Sequence, residues 1–167
     1  MIYTYDRKLK KDKYSLADVK KLIKQKKRFW VHLTKPPLGE LEELGKILGL
    51  HHLVIEDIHH INNRAKIEDH GKYVYIVSHA VSSSKDLHAI ELDLALSKNW
   101  VLSVTNKPIK SIESLLDNQI GQALKRGTDF LAHKVIDVTI DETTEIVDKI
   151  NSNVEKLESQ ILKTSDK

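Results

Sequence analysis

The chain contains no cysteine, which excludes disulfide bonds and thiolate metal sites and fits a reducing compartment. Aromatic residues make up only 5%, too few to build stacking platforms for single-stranded nucleic acid. No stretch approaches the ~18 consecutive apolar residues of a membrane helix. Residues 1–5 lead directly into charge, so no secretory leader is expected. A glycine-rich phosphate loop is missing, as are HExxH and GxSxG patterns and any Ser/His/Asp or paired-carboxylate set. The chain is therefore not expected to be an enzyme.

What is present is a 167-residue sequence with 40% hydrophobic residues, enough for one domain with a buried core. The net charge of +3 hides an asymmetry. Residues 129–167 hold nine acidic and five basic side chains, a net −4, which leaves +7 for the rest. Much of that excess lies between Arg7 and Arg28. A basic front half suits nucleic acid or an anionic membrane face. It equally describes a solvated lysine-rich surface, the plainer reading of such a run, and no nucleic-acid partner is expected.

Residues 2–5 read as a short strand. Ser15-Leu16-Ala17-Asp18 resembles a capping box with Asp in place of Glu, opening a helix to about Lys26. Residues 29–33 form a compact apolar strand, ended by Pro36-Pro37. A second helix follows, with Leu38, Leu41, Leu44, Ile47 and Leu48 on its buried face and Gly49 as its C-terminal cap. A short helix at residues 52–60 precedes a hairpin of residues 66–69 and 73–81 around His70-Gly71. Residues 87–96 alternate, with Ile90, Leu92, Leu94 and Leu96 on one face and Glu91 and Asp93 on the other. Lys98-Asn99 turns the chain into a strand at residues 100–105. An antiparallel meander after a βαβ-like stretch predicts an α/β (mixed α+β) fold: a mixed, largely antiparallel sheet sandwiched by helices.

Pro108 starts another helix over residues 109–125, Gly127 ends it, and Thr128 caps a last, uninterrupted helix. There Ile136, Ile140, Thr143, Val147, Ile150, Val154, Leu157 and Ile161 alternate spacings of four and three, a heptad seam. A helix of that length makes a rod of roughly 50 Å at about 1.5 Å per residue. The seam needs a partner helix that the sequence does not contain, so the natural protein is expected to continue. We divide the chain into an α/β sandwich domain, 1–127, and the long helix, 128–167.

Nine histidines are many for this length. His52, Glu56, His59 and His60 have the spacing of metal ligands on a helix, and equally that of a solvated polar rim. Glu56 and Asp57 lie near Arg64 and Lys66, which predicts an ion-pair cluster at the Asn62-Asn63-Arg64 corner. His51, between Leu50 and Leu53, reads as a buried histidine bonded to backbone. Asp86 and His88 bracket Leu87 and share a strand face, so both can reach one ion; the alternative is a hairpin with polar flanks.

The stretch at residues 50–81 carries a family likeness. Leu50-His51-x-Leu53-x-x-Glu56-Asp57-Ile58, then Arg64-x-Lys66-Ile67-Glu68, then Tyr73-x-x-Ile76 resembles the signature of the CorA family of divalent-cation transport proteins. The order extends outward to Trp30 and Leu33, to Leu96-x-x-Asn99-x-x-Leu102-x-x-Thr105, and to Phe130-Leu131 at the start of the long helix. The resemblance implies a homopentamer in the cell membrane. A cytoplasmic metal-sensing domain would precede a stalk helix, two membrane helices and a Gly-Met-Asn loop at the pore mouth. It implies transport of Mg²⁺, Co²⁺ or Ni²⁺, with a related branch for Zn²⁺, and regulation by divalent ions bound between protomers. This chain has His52 where the family pattern has proline. Ser84 stands at its regulatory acidic position, with Asp86 two residues on. The expected metal site is therefore Asp86 and His88, for Mg²⁺ or Co²⁺, with His52, Glu56, His59 and His60 as the alternative. A zinc-transporting relative and a His-rich soluble metal-binding protein are the competing readings.

Overall fold

The computed structural model describes residues 2–4, 15–82, 88–118 and 120–165. Six strands form one sheet: β1 (Ile2–Thr4), β2 (Phe29–Thr34), β3 (Lys66–Asp69), β4 (Val74–Ser82), β5 (His88–Leu96) and β6 (Trp100–Thr105). The strand order is β1-β2-β6-β5-β4-β3. β3 to β6 make the antiparallel meander that the alternating segments predict. β2 joins it in parallel with β6, from Phe29 opposite Trp100 to Thr34 opposite Thr105. β1 pairs antiparallel with β2, so the first strand–helix–strand passage is not a parallel βαβ unit. The fold class is the expected one, a mixed and largely antiparallel sheet between helical layers.

The two-residue period of the strands sorts side chains onto two faces. Phe29, Val31 and Leu33 of β2 and Leu102 and Val104 of β6 face α1 (Leu16–Lys24), α2 (Leu38–Leu48) and α3 (His52–His59). Trp30, Val101, Leu92 and Leu94 face α4 (Lys110–Asn118), α5 (Ile120–Arg126) and α6 (Thr128–Ser165). Both faces are covered, which is why β2 and β6 read as nearly continuous apolar runs.

Local signals set the helix ends. The Ser15 hydroxyl accepts the Asp18 N–H at 3.2 Å and donates to the Asp18 carboxylate at 2.8 Å. Gly49 closes α2 in the left-handed conformation, φ 74°, where glycine carries no Cβ penalty. The helix expected over residues 109–125 appears as helical residues 110–118 (α4) and 120–126 (α5), residue 119 lying outside the described residues. Thr128, expected as an N-terminal cap, instead donates its hydroxyl to the Ser97 carbonyl at 2.7 Å, which ties α6 to the β5–β6 turn.

The first turns of α6 belong to the core: Leu131, Ala132 and Val135 are buried against the sheet. Past Ile146, the last buried residue among those described, Val147, Ile150, Val154, Leu157 and Ile161 of the seam are all exposed. Among the described residues no helix is long and apolar enough to cross a membrane.

Candidate functional site

Strand β5 carries the chemistry. Its period sends Ile90, Leu92 and Leu94 toward α4–α6 and places Glu91 and Asp93 on the opposite face. The α2–α3 layer roofs that face, and both acids are only 4% exposed. A buried carboxylate must find donors. Glu91 finds three: the backbone N–H groups of Asn62 and Asn63, each at 2.8 Å, and the Asn63 side-chain amide, also at 2.8 Å. The same amide nitrogen lies 2.7 Å from the carbonyls of Asp57 and His60. Asn62 takes φ 89°, a left-handed conformation that asparagine tolerates better than most residues.

Asp93 accepts the Tyr75 hydroxyl at 2.6 Å. Burial pushes its carboxyl up to about 7; the Tyr75 bond opposes that shift, and the charges of Glu91 and Asp57 add to it. The Tyr75 phenol is driven far above its ordinary value, first by burial and then by the charge on Asp93. Above the acids, α2, α3 and the segment after β2 enclose a cavity of about 320 Å³. Pro37, Leu38, Leu41, Ile58 and Ile61 wall it, and Lys35, His59, Glu91, Asp93 and Asn106 give it a polar lining of both signs, while Thr105, paired with Leu92, turns its side chain to the α4–α6 face. Thr105 Oγ1 and Asn106 Oδ1 are buried with no hydrogen-bond partner.

Of the residues expected to form an ion-pair cluster, the structure brings Asp57 and Lys66 together at 2.7 Å, with Glu68 as a second partner of Lys66 at 2.8 Å. Bonds to these two carboxylates hold the Lys66 ammonium above its ordinary pKa, and the Lys66 bond holds Glu68 below its own. Glu56 and Arg64 are exposed and make no ion pair among the described residues. Glu91, 28 residues from Asn63, supplies the charge that orders the corner.

Asp86 lies outside the described residues. His88 is exposed at the start of β5, opposite Ser82. His52, Glu56, His59 and His60 are exposed on α3 and its end. His60 Nδ1 sits 3.1 Å from the Glu56 carbonyl rather than its carboxylate. The His52 ring lies against His51, with centroids 4.3 Å apart. Among the described residues no three His, Asp or Glu side chains converge on one point. His51 is exposed rather than buried: its Nδ1 accepts the Leu53 N–H at 3.3 Å, and its backbone N–H donates to the Tyr75 neighbour Tyr73 at 2.9 Å.

Sequence reasoning also missed a buried polar set on the other sheet face. Ser103 Oγ accepts Trp30 Nε1–H at 2.8 Å and lies 2.8 Å from His32 Nδ1. Burial is the main cause that lowers His32 to about 4, so its ring is neutral at physiological pH. The parallel register of His32 with Ser103 creates this contact, and no local spacing encodes it.

Comparison with known proteins places this arrangement. The cobalt/magnesium transport protein CorA of Thermotoga maritima is 30% identical over 148 residues, 83% of this chain and 41% of that protein. The chain thus spans less than half the length of that relative. The soluble domain of CorA from Methanocaldococcus jannaschii superposes with a TM-score of 0.75 at 19% identity, covering 96% of this chain and 63% of that one. The ZntB cytoplasmic domain from Vibrio parahaemolyticus has a TM-score of 0.61 at 11% identity, over 77% of this chain and 54% of that one. At such identities the two structures speak for the fold alone. A family profile described as CorA-like Mg²⁺ transporter protein matches residues 25–167, from the residues before β2 to the end of α6, and so the chain belongs to the CorA-like family.

Proposed function

We propose that this chain is the metal-sensing regulatory part of a CorA-like divalent-cation transport protein. The observation that carries the reading is the family match across residues 25–167, which takes in every element from β2 to α6. In this reading the whole protein sits in the cell membrane as a homopentamer, with the α/β sandwich on the cytoplasmic side. It carries Mg²⁺ or Co²⁺, and ions bound to this domain bias the gating of a pore formed by membrane helices. It is not an enzyme. A zinc-transporting relative of the same family is the competing reading.

The sensing site we assign is Asp86 with His88. His88 supports this by its exposure at a strand end, where a side chain can meet a neighbouring protomer. Mg²⁺ prefers an all-oxygen octahedral shell and should bind weakly there, whereas Co²⁺ accepts imidazole. Titration of the chain with Co²⁺, Mg²⁺ and Zn²⁺ tests the assignment. Co²⁺ binding should be lost in Asp86→Ala/His88→Ala and kept in His59→Ala/His60→Ala. The reverse pattern moves the site to His52, Glu56, His59 and His60. Uptake of none of the three ions by vesicles carrying the full-length product overturns the transport reading itself.

A further inference from the structure

We propose that a basic cleft at the end of the sheet where β2, β4 and β6 begin binds the polyphosphate chain of a small soluble anion. Four connections meet there: the α1–β2, β3–β4 and β5–β6 turns and the α5–α6 junction. Each brings one cation, in turn Arg28, Lys72, Lys98 and Arg126, to the wall of a cleft of about 430 Å³. No two of these are neighbours in sequence, and only the fold gathers them. Two carboxylates share the lining, Asp69 and Asp129, so four cations less two anions leave a surplus of two positive charges. Asp69 is committed to the Gly71 N–H at 2.7 Å. Asp129 sits in the first turn of α6, where the helix dipole favours an acid. Among the described residues none of the four cations forms an ion pair.

The connections are tied to one another, so the cations stand on a fixed frame. The Ser97 hydroxyl donates to the Lys72 carbonyl at 2.7 Å. The Thr128 hydroxyl donates to the Ser97 carbonyl at 2.7 Å, and the Phe29 N–H to the Asn99 carbonyl at 3.1 Å. Both arginines are also held. Arg28 Nη1 donates to the carbonyls of Leu124 and Lys125 at 3.1 and 2.8 Å. The Arg126 guanidinium lies 3.6 Å over the Phe130 ring. The α5 carbonyls account for the place of Arg28 but not for Lys72 and Lys98, which come from separate turns. A guanidinium fork matches phosphate oxygens in pairs, and an ammonium supplies a point charge beside it. Gly71 and Gly127 line the same wall and let a ligand approach bare backbone. Like charges held together repel unless a counter-charge offsets them. One carboxylate answers one cation, whereas two or three linked phosphates carry charge on successive groups and reach several. The cleft volume falls within the range of small-molecule sites, ~300–1,000 Å³, which suits a compact anion better than an extended acidic segment.

Titrating the chain with sodium tripolyphosphate tests the proposal, in metal-free buffer at about 0.15 M salt so that diffuse attraction is screened. The amide resonances of Gly71 and Gly127 are the reporters, and saturable shifts are expected below millimolar concentration. Orthophosphate should bind about tenfold more weakly or worse. Lys72 and Lys98 are exposed, so Lys72→Ala/Lys98→Ala should fold, and it should weaken tripolyphosphate about tenfold or more. Lys20→Ala/Lys46→Ala removes the same charge from exposed positions outside the cleft and should bind as the parent does. Adenosine triphosphate separates the sources of the chain. If it competes with tripolyphosphate and is weakened by Lys72→Ala/Lys98→Ala, the proposal stands with a nucleotide as carrier. If it does not compete, the proposal stands with inorganic polyphosphate as the ligand. Absence of saturable shifts, equal binding of orthophosphate, or equal weakening in the two double variants overturns the proposal.

Discussion

Asp93 is a carboxyl that the fold keeps from ionising easily. Its folded value is about 7 against an ordinary 3.8, so the folded chain holds this proton more tightly than the unfolded chain does. The sign follows from linkage. Below the ordinary value both states are protonated and Asp93 costs nothing. As pH rises toward 7 the unfolded state releases its proton first, and stability falls. Above 7 the loss levels off at roughly 4 kcal/mol, at about 1.4 kcal/mol per pH unit. Tyr75 and His79 on β4, Glu91 on β5, Asp57 on α3 and Lys66 on β3 are the charged or titratable groups facing it. His32, on the far face, works in the opposite sense. Lowered from 6.5 to about 4, it contributes stability that is present above 6.5 and lost as pH falls through that window. The two effects oppose one another and flatten the overall pH profile. Asp93→Asn separates them. The variant should be more stable than the parent at about pH 8 and no more stable at about pH 4, by urea denaturation. An equal difference at both pH values would show that Asp93 does not titrate in this window.

The elements were legible where a local period or cap encodes them. The α2 stripe with Gly49, the β3–β4 hairpin around His70-Gly71, and the alternation expected over residues 87–96, described from His88 on, appear in the structure as the sequence implies. The site was not legible in the same way. Alternation alone places Glu91 and Asp93 on a second face, and only the position of β5 inside a sheet covered on both sides makes that face dry. The corner at Asn62-Asn63 looked like the work of Arg64, because Arg64 is near in sequence. Its true organiser is Glu91, on the neighbouring strand from β4. An exposed guanidinium stays hydrated and gains little from a surface partner. A buried carboxylate binding two backbone N–H groups leaves both stranded when it is removed, at about 1–3 kcal/mol each. Glu91→Ala should therefore cost about 2–4 kcal/mol, and Arg64→Ala about 0.5 kcal/mol or less. Denaturant midpoints for the two variants check this. If Arg64→Ala proves the more costly, the corner depends on the arginine after all.

At the scale of the molecule, α6 sets the problem. Its 38 residues make a rod of roughly 57 Å at about 1.5 Å per residue, and only its first half rests on the sheet. From Val147 on, the heptad seam has no covering element among the described residues. Val154, Leu157 and Ile161 are 46%, 58% and 64% exposed. A contiguous apolar stripe of this kind is a surface for association, worth about 25 cal/mol per Å² once removed from water. Glu155, Lys156 and Glu158 lie on the flanks of the stripe and keep it soluble rather than covering it. The isolated chain should therefore self-associate through the seam as concentration rises, and helix–helix burial should stiffen residues 147–162. Sedimentation velocity across a concentration series reads the first effect, and amide exchange of those residues reads the second. Leu157→Lys/Ile161→Lys places charge on the seam without touching the core, since neither side chain is buried. That variant should sediment as a monomer with unchanged exchange protection in the sheet. Association that persists in it would locate the contact on another face of the domain and leave the seam to a different partner.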